Sequence, residues 1–190
     1  MARVIYNAAA TLNGFIADEA DSLGWLFAVD GEGAPDNAAF MDRIGALAMG
    51  STTYEWILRQ ENVDEQPERW HELAYVGDRP TFVFTRRVLS APPGADVRFV
   101  SGAVAHALPE LVGAAGGRAV WVLGGGDLAG QFLDAGALDE IQVSLAPATL
   151  DGGAPLLPRR VEPDRLRLQS AERHGQFVHV VYAVVNPARP

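Results

Sequence analysis

Residues 120–132 read Val-Trp-Val-Leu-Gly-Gly-Gly-Asp-Leu-Ala-Gly-Gln-Phe, and no other stretch limits the possible folds so strongly. Val120 to Leu123 is a short apolar run of strand formers. Three glycines follow, and Asp127 to Leu133 reads as the first turns of a helix. A strand that delivers glycine into a helix start makes a ready anion site, because the backbone can approach closely and the first N–H groups of a helix lack partners within it. The plain alternative is a tight strand-to-helix turn that binds nothing.

The chain of 190 residues is long enough for one domain with a sizeable core, and its 48% hydrophobic content suits a globular protein. No apolar run approaches the ~20 residues of a membrane span, and the N-terminus reads as a first strand, not a signal peptide. The expectation is a cytoplasmic protein without membrane contact. Cysteine is absent, which removes disulfides, thiolate nucleophiles and thiolate zinc sites. All 15 basic residues are arginine, so a Schiff-base lysine and a P-loop lysine are excluded. His71, His106, His174 and His179 lack metal-ligand spacing, and no metal site is expected. The net charge of −9 disfavours nucleic acid, so an anionic ligand must be held by a local feature.

Along the chain, Arg3 to Ala10 reads as a strand buried on both faces and Asn13-Gly14 as a turn. Asp18 to Phe27 combines acidic, small and bulky residues, which suits a flap or a loop pinned by Trp25. Asp36 or Asn37 caps a helix through Phe40 and Ile44. Ala46 to Met49 is a strand ending in Gly50-Ser51-Thr52-Thr53, a second strand–glycine–helix junction. Short helix at 67–74, strand at 80–85, strand at 97–100 and helix at 102–115 precede the glycine stretch. A strand at 138–145 and a hairpin of 166–173 with 177–185 follow it. Together these elements predict one α/β domain over residues 1–190, with a mixed sheet, helices on both faces and a C-terminal antiparallel hairpin. Gly124, Gly126 and Ala129 also satisfy G-x-G-x-x-A. A Rossmann domain would place that motif after its first strand and an acid at the end of the next one. Here four strand candidates come first, and Asp139 and Glu140 begin the next strand.

Four motifs in order, A-T-L-N-G-F-I-A at 10–17, M-G-S-T-T-Y-E at 49–55, F-V-F-T-R at 82–86 and V-L-G-G-G-D-L-A-G-Q-F-L at 122–133, resemble the dihydrofolate reductase superfamily. The resemblance is to the branch containing the C-terminal reductase domain of the bifunctional riboflavin-biosynthesis deaminase/reductase.

The resemblance implies an NADPH-dependent reductase of a pteridine- or aminouracil-like heterocycle, and a homodimer. Gly50, Ser51, Thr52 and Thr53 would hold phosphate at one helix start. Leu123, Gly124, Gly125, Gly126, Asp127 and Leu128 would hold the pyrophosphate and nicotinamide side, with a cis bond between Gly124 and Gly125. Asn13, Gly14, Ile16 and Ala17 would line the nicotinamide pocket, Ala10 would be a further cofactor-binding residue, and Thr85, Arg86 and Arg87 would meet the adenosine 2′-phosphate. Asn13 and Asp36 are the catalytic candidates. Asn13 stands where the branch has Asp, and an amide is no general acid near neutral pH. Ser51 stands where it has Arg. Trp25, Phe27 and Tyr54 are candidates to stack on the heterocycle, and Arg159 and Arg160 to meet a substrate phosphate or lie solvated. A non-catalytic NADP-binding protein that keeps the fold is the alternative.

Overall fold

The structure, a computed structural model, describes residues 2–32 and 37–186. In chain order the strands are β1 (Val4–Thr11), β2 (Phe15–Ala17), β3 (Ile44–Gly50), β4 (Thr81–Phe84), β5 (Val97–Val100), β6 (Ala119–Gly124), β7 (Glu140–Ala146), β8 (Ala154–Pro155), β9 (Leu166–His174) and β10 (Phe177–Val184). The α-helices are α1 (Gly24–Phe27), α2 (Ala38–Asp42), α3 (Ser51–Gln60), α4 (Arg69–Glu72), α5 (Val104–Ala114) and α6 (Gly126–Asp134).

Eight strands form one sheet in the order β5-β4-β3-β6-β1-β7-β10-β9. The first six are parallel, and β10 and β9 close the edge antiparallel. This is the mixed sheet with a terminal hairpin that the alternation of elements predicts. A separate two-stranded ribbon pairs β2 with β8.

Period-two alternation assigns the apolar residues of the central strands to two layers. Val4 and Tyr6 of β1 and Val120 and Val122 of β6 pack with Leu111 of α5 and Leu128, Ala129 and Phe132 of α6. Ile5, Leu47, Met49 and Trp121 face the other way, against Phe40, Tyr54, Ile57 and Trp70. Helices therefore cover both faces, and the central strands are continuously apolar, as a doubly covered sheet requires. Each fully buried Ile, Leu or Phe contributes about 1.5–3 kcal/mol relative to exposure. Close packing also sets where glycine is needed. A Cβ on Gly45 would lie 2.0 Å from the Ala115 carbonyl oxygen, so the end of α5 rests directly on the β3 backbone.

Candidate functional site

β3 and β6 are parallel neighbours, so their C-terminal ends meet at one edge of the sheet. From there the chain leaves in opposite directions. Gly50 leads into α3 on one face, and Gly124 leads through Gly125 into α6 on the other. Opposed exits from adjacent strands leave a crevice beyond their carboxyl ends, the usual ligand position in an open α/β sheet. Both helix starts border it. Gly50 and Gly125 occupy their N-cap positions, and no side chain caps either helix. The first-turn N–H groups are thus left for a ligand in the crevice.

The three glycines do different work. A Cβ on Gly124 would lie 2.9 Å from Thr53 Oγ1, so this glycine lets the two helix starts approach each other. One on Gly126 would lie 2.2 Å from the Pro155 carbonyl oxygen, which makes it the seat of the loop beyond β7. One on Gly125 would meet only Ile16 Cδ1, at 4.0 Å, so nothing in the protein requires glycine there. The Gly124–Gly125 peptide bond is cis.

The crevice opens into a cavity of about 720 Å³, within the range of small-molecule sites. Asn7, Ala8 and Ala9 of β1 and Ser144 of β7 lie on its lining, with Ile16, Ala17, Ala154 and Pro155 of the small ribbon. Leu23, Leu26, Phe40 and Trp121 add an apolar part, in which Phe40 meets Trp121 edge to face at 5.2 Å between ring centroids. The ribbon side is firmly tied. Buried Tyr6 donates its hydroxyl to the Leu156 carbonyl at 2.8 Å, and burial pushes its pKa well above the usual phenol range. The Leu156 N–H donates to the Gly14 carbonyl at 2.8 Å. Arg159 reaches Asp134 at 2.8 Å and Asp127 at 3.0 Å across Gly130. Asp127 accepts from Gln131 and Arg159, and both bonds hold its pKa below the usual carboxylate range. Ser144, also on the lining, places its Oγ 3.0 Å from His179 Nδ1. Burial and the neighbouring His174 lower the His179 pKa, against a smaller opposing effect of Glu172.

A family model described as the RibD C-terminal domain matches residues 2–180. The chain belongs to that family. Its RibD-like reductase relatives are members of the dihydrofolate reductase superfamily, in agreement with the four motifs. The RibD-type domain is similar to the uncharacterized protein YwjB of Bacillus subtilis strain 168, at 28% identity over 92% of this chain and 93% of that one. In structure it is similar to a protein assigned to riboflavin biosynthesis from Shewanella sp. PV-4, with TM-score 0.76, 24% identity and coverage of 97% and 99%. It also resembles a diaminohydroxyphosphoribosylaminopyrimidine deaminase/5-amino-6-(5-phosphoribosylamino)uracil reductase from Thermotoga maritima. There the TM-score is 0.61 at 16% identity, and the RibD-type domain spans 97% of itself and 57% of that longer chain. Both structural likenesses bear on the fold.

Of the residues singled out from sequence, Ile16, Ala17, Gly50, Ser51, Thr52, Thr53, Leu123, Gly124, Gly125, Gly126, Asp127 and Leu128 all lie on the cavity lining. Ala10 is buried in β1 and is not on it. Asn13 is also off the lining. Its Nδ2 donates to the Leu150 carbonyl at 2.7 Å, and its Oδ1 accepts from Thr11 Oγ1 and the Leu150 N–H. The amide thus ties two loops together instead of facing the cavity. Thr85, Arg86 and Arg87 follow β4, beside the α3 junction. Arg86 is exposed, while Arg87 pairs bidentately with Glu55 of α3 at 2.6 Å. Asp36 lies outside the described residues. The stacking candidates are elsewhere: Tyr54 is buried and donates to the Ser90 carbonyl, Phe27 is exposed, and Trp25 is off the lining. Arg160 pairs with Glu162 at the surface.

Sequence reasoning missed Asn7, Asn37, Ser144 and the Arg159 clamp. Asn7 carried a usable signal, as a polar residue inside an otherwise apolar central strand. So did Ser144, which interrupts the strand 138–145.

Proposed function

We propose that this RibD-type domain is an NADPH-dependent reductase of a planar heterocycle, working as a cytoplasmic homodimer. The observation that carries the reading is the pair of uncapped, glycine-led helix starts bordering one cavity of about 720 Å³. A coenzyme with a pyrophosphate and a planar ring matches that chemistry. The residues fit: the first-turn amides of α3 and α6 would take phosphate oxygens, and the open space at Gly125 admits a ligand's close approach. Ile16, Ala17 and Leu123 would pack the coenzyme's ring. Arg86, the unengaged member of its pair, would meet a 2′-phosphate, because Arg87 is held by Glu55.

When bound, the coenzyme supplies the reducing equivalents. The protein's share is orientation, exclusion of water and one proton. Leu26, Phe40 and Trp121 would hold the acceptor in a dry apolar region. Asn13 is engaged elsewhere, so the proton falls to Ser144, whose Oγ is recharged from His179 Nδ1. The Thermotoga relative carries an aminouracil reductase activity in its name, which supports a heterocycle as acceptor.

The test is fluorescence titration with NADPH and NADH, followed by coenzyme oxidation across pterins, aminouracils and quinones. Tight NADPH binding with turnover of at least one acceptor is expected. Arg86→Ala should raise the NADPH dissociation constant roughly 10-fold, from the loss of one charge-assisted hydrogen bond, and leave NADH unchanged. Binding without turnover on any acceptor would support a non-catalytic NADP-binding protein instead.

A further inference from the structure

We infer that the acceptor reduced by this domain carries no phosphate. The inference rests on the coenzyme reading above. It starts from the charge on the cavity wall. Among the described residues, no arginine or histidine lies on the lining, and the chain contains no lysine. The charged side chains that do line it are Asp21 and Asp127, both acids. A phosphomonoester in this cavity would lose its hydration without gaining a cation on the lining, because the Arg159 charge beside Asp127 is already matched by Asp127 and Asp134.

Arg159 and Arg87 are already committed. Arg159 spends its guanidinium on Asp127, Asp134 and the Pro158 carbonyl. Arg87 is forked onto Glu55. The remaining anion-seeking groups are the two helix starts and Arg86, which is off the lining, and on the coenzyme reading the coenzyme's own phosphates would occupy all three. What is left for the acceptor is apolar and neutral-polar: Leu26, Phe40 and Trp121 on one side, with Asn7, Asn37 and Ser144 offering hydrogen bonds. Such a surface selects an uncharged planar ring with donors and acceptors on its edge. The phosphoribosyl group named in the Thermotoga relative's substrate has no counterpart to meet here.

The experiment is calorimetric titration of the 190-residue protein saturated with NADP⁺. Two matched pairs are compared: 5-amino-6-ribosylaminouracil with its 5′-phosphate, and riboflavin with flavin mononucleotide. The unphosphorylated member should bind at least 10-fold more tightly in at least one pair. Asn37→Arg, which adds a cation to an exposed lining position, should narrow or reverse that ratio. Equal or tighter binding of the phosphorylated member in both pairs overturns the inference, as does failure of all four compounds to bind. A preliminary NADPH titration separates the two readings. If the coenzyme does not bind, the reductase reading falls and this inference with it. If it binds and the phosphorylated members win, only this inference falls.

Discussion

Gly125 and Gly126 are adjacent, yet they are glycine for opposite reasons, and substitution should separate them. Gly126→Ala forces a Cβ against fixed backbone at Pro155 and Leu156. Overpacking of that kind costs about 1–3 kcal/mol, a loss visible as a lower Tm. Gly125→Ala meets open space at a φ of −88° that alanine adopts freely. Its Tm should match the parent while its NADPH affinity drops at least 10-fold; unchanged affinity would mean the coenzyme does not approach this position. His179 yields a pH prediction. Its pKa is lowered by burial and by His174, with Glu172 opposing, and Glu140 of β7 lies farther along the same face. Proton supply to Ser144 should therefore fade as pH rises through a midpoint below the ordinary histidine range. Stability runs the other way. The unfolded chain takes up this proton more readily, so folding stability falls as pH drops through that window. His179→Asn should flatten both profiles, measured by kcat and by Tm from pH 5 to 8. The glycines were legible because a glycine run after a strand has few other uses. Asn13 was not, because its partner Leu150 lies 137 residues away and no local pattern announces the contact.

Among the elements, those with a full period of apolar residues were readable in advance. The expected helix at 102–115 is α5, and the expected hairpin is β9 with β10. β2 and β8, of three and two residues, are too short for alternation to show, yet their ribbon forms part of the cavity wall. Residues 18–27, expected as a flap or as a loop pinned by Trp25, end in the four-residue helix α1, and Asp21, Leu23 and Leu26 are the residues that reach the lining, not the aromatics. The loop after β7 is held onto α6 by Arg159 alone among ion pairs of the described residues. Arg159 is three-quarters buried along its side chain, so its removal loses packing as well as charge. Arg159→Ala should loosen that loop, raising hydrogen exchange at 154–158 and the KM for coenzyme severalfold. Full folding should persist, because the central strands do not depend on this contact.

For the whole molecule, net charge and local geometry pull against each other. A chain of charge −9 repels a polyanionic coenzyme at long range, and salt screens that repulsion over about 10 Å at 0.1 M. The association rate of NADPH, followed by stopped-flow fluorescence, should therefore rise from low salt to about 0.15 M; a steep fall would show that local arginines govern the approach. The order of elements made an α/β sheet with a hairpin edge legible, and it argued against a Rossmann domain because strands precede the glycine motif. The strand order itself was not legible, since nothing local tells β6 to insert between β3 and β1. The bond from Tyr6 to the Leu156 carbonyl joins residues 150 positions apart. A nascent chain that has just released its second glycine turn from the ribosome still has one wall of its pocket unsynthesised. Capture of the proposed coenzyme must then wait until the chain has been made past Leu156.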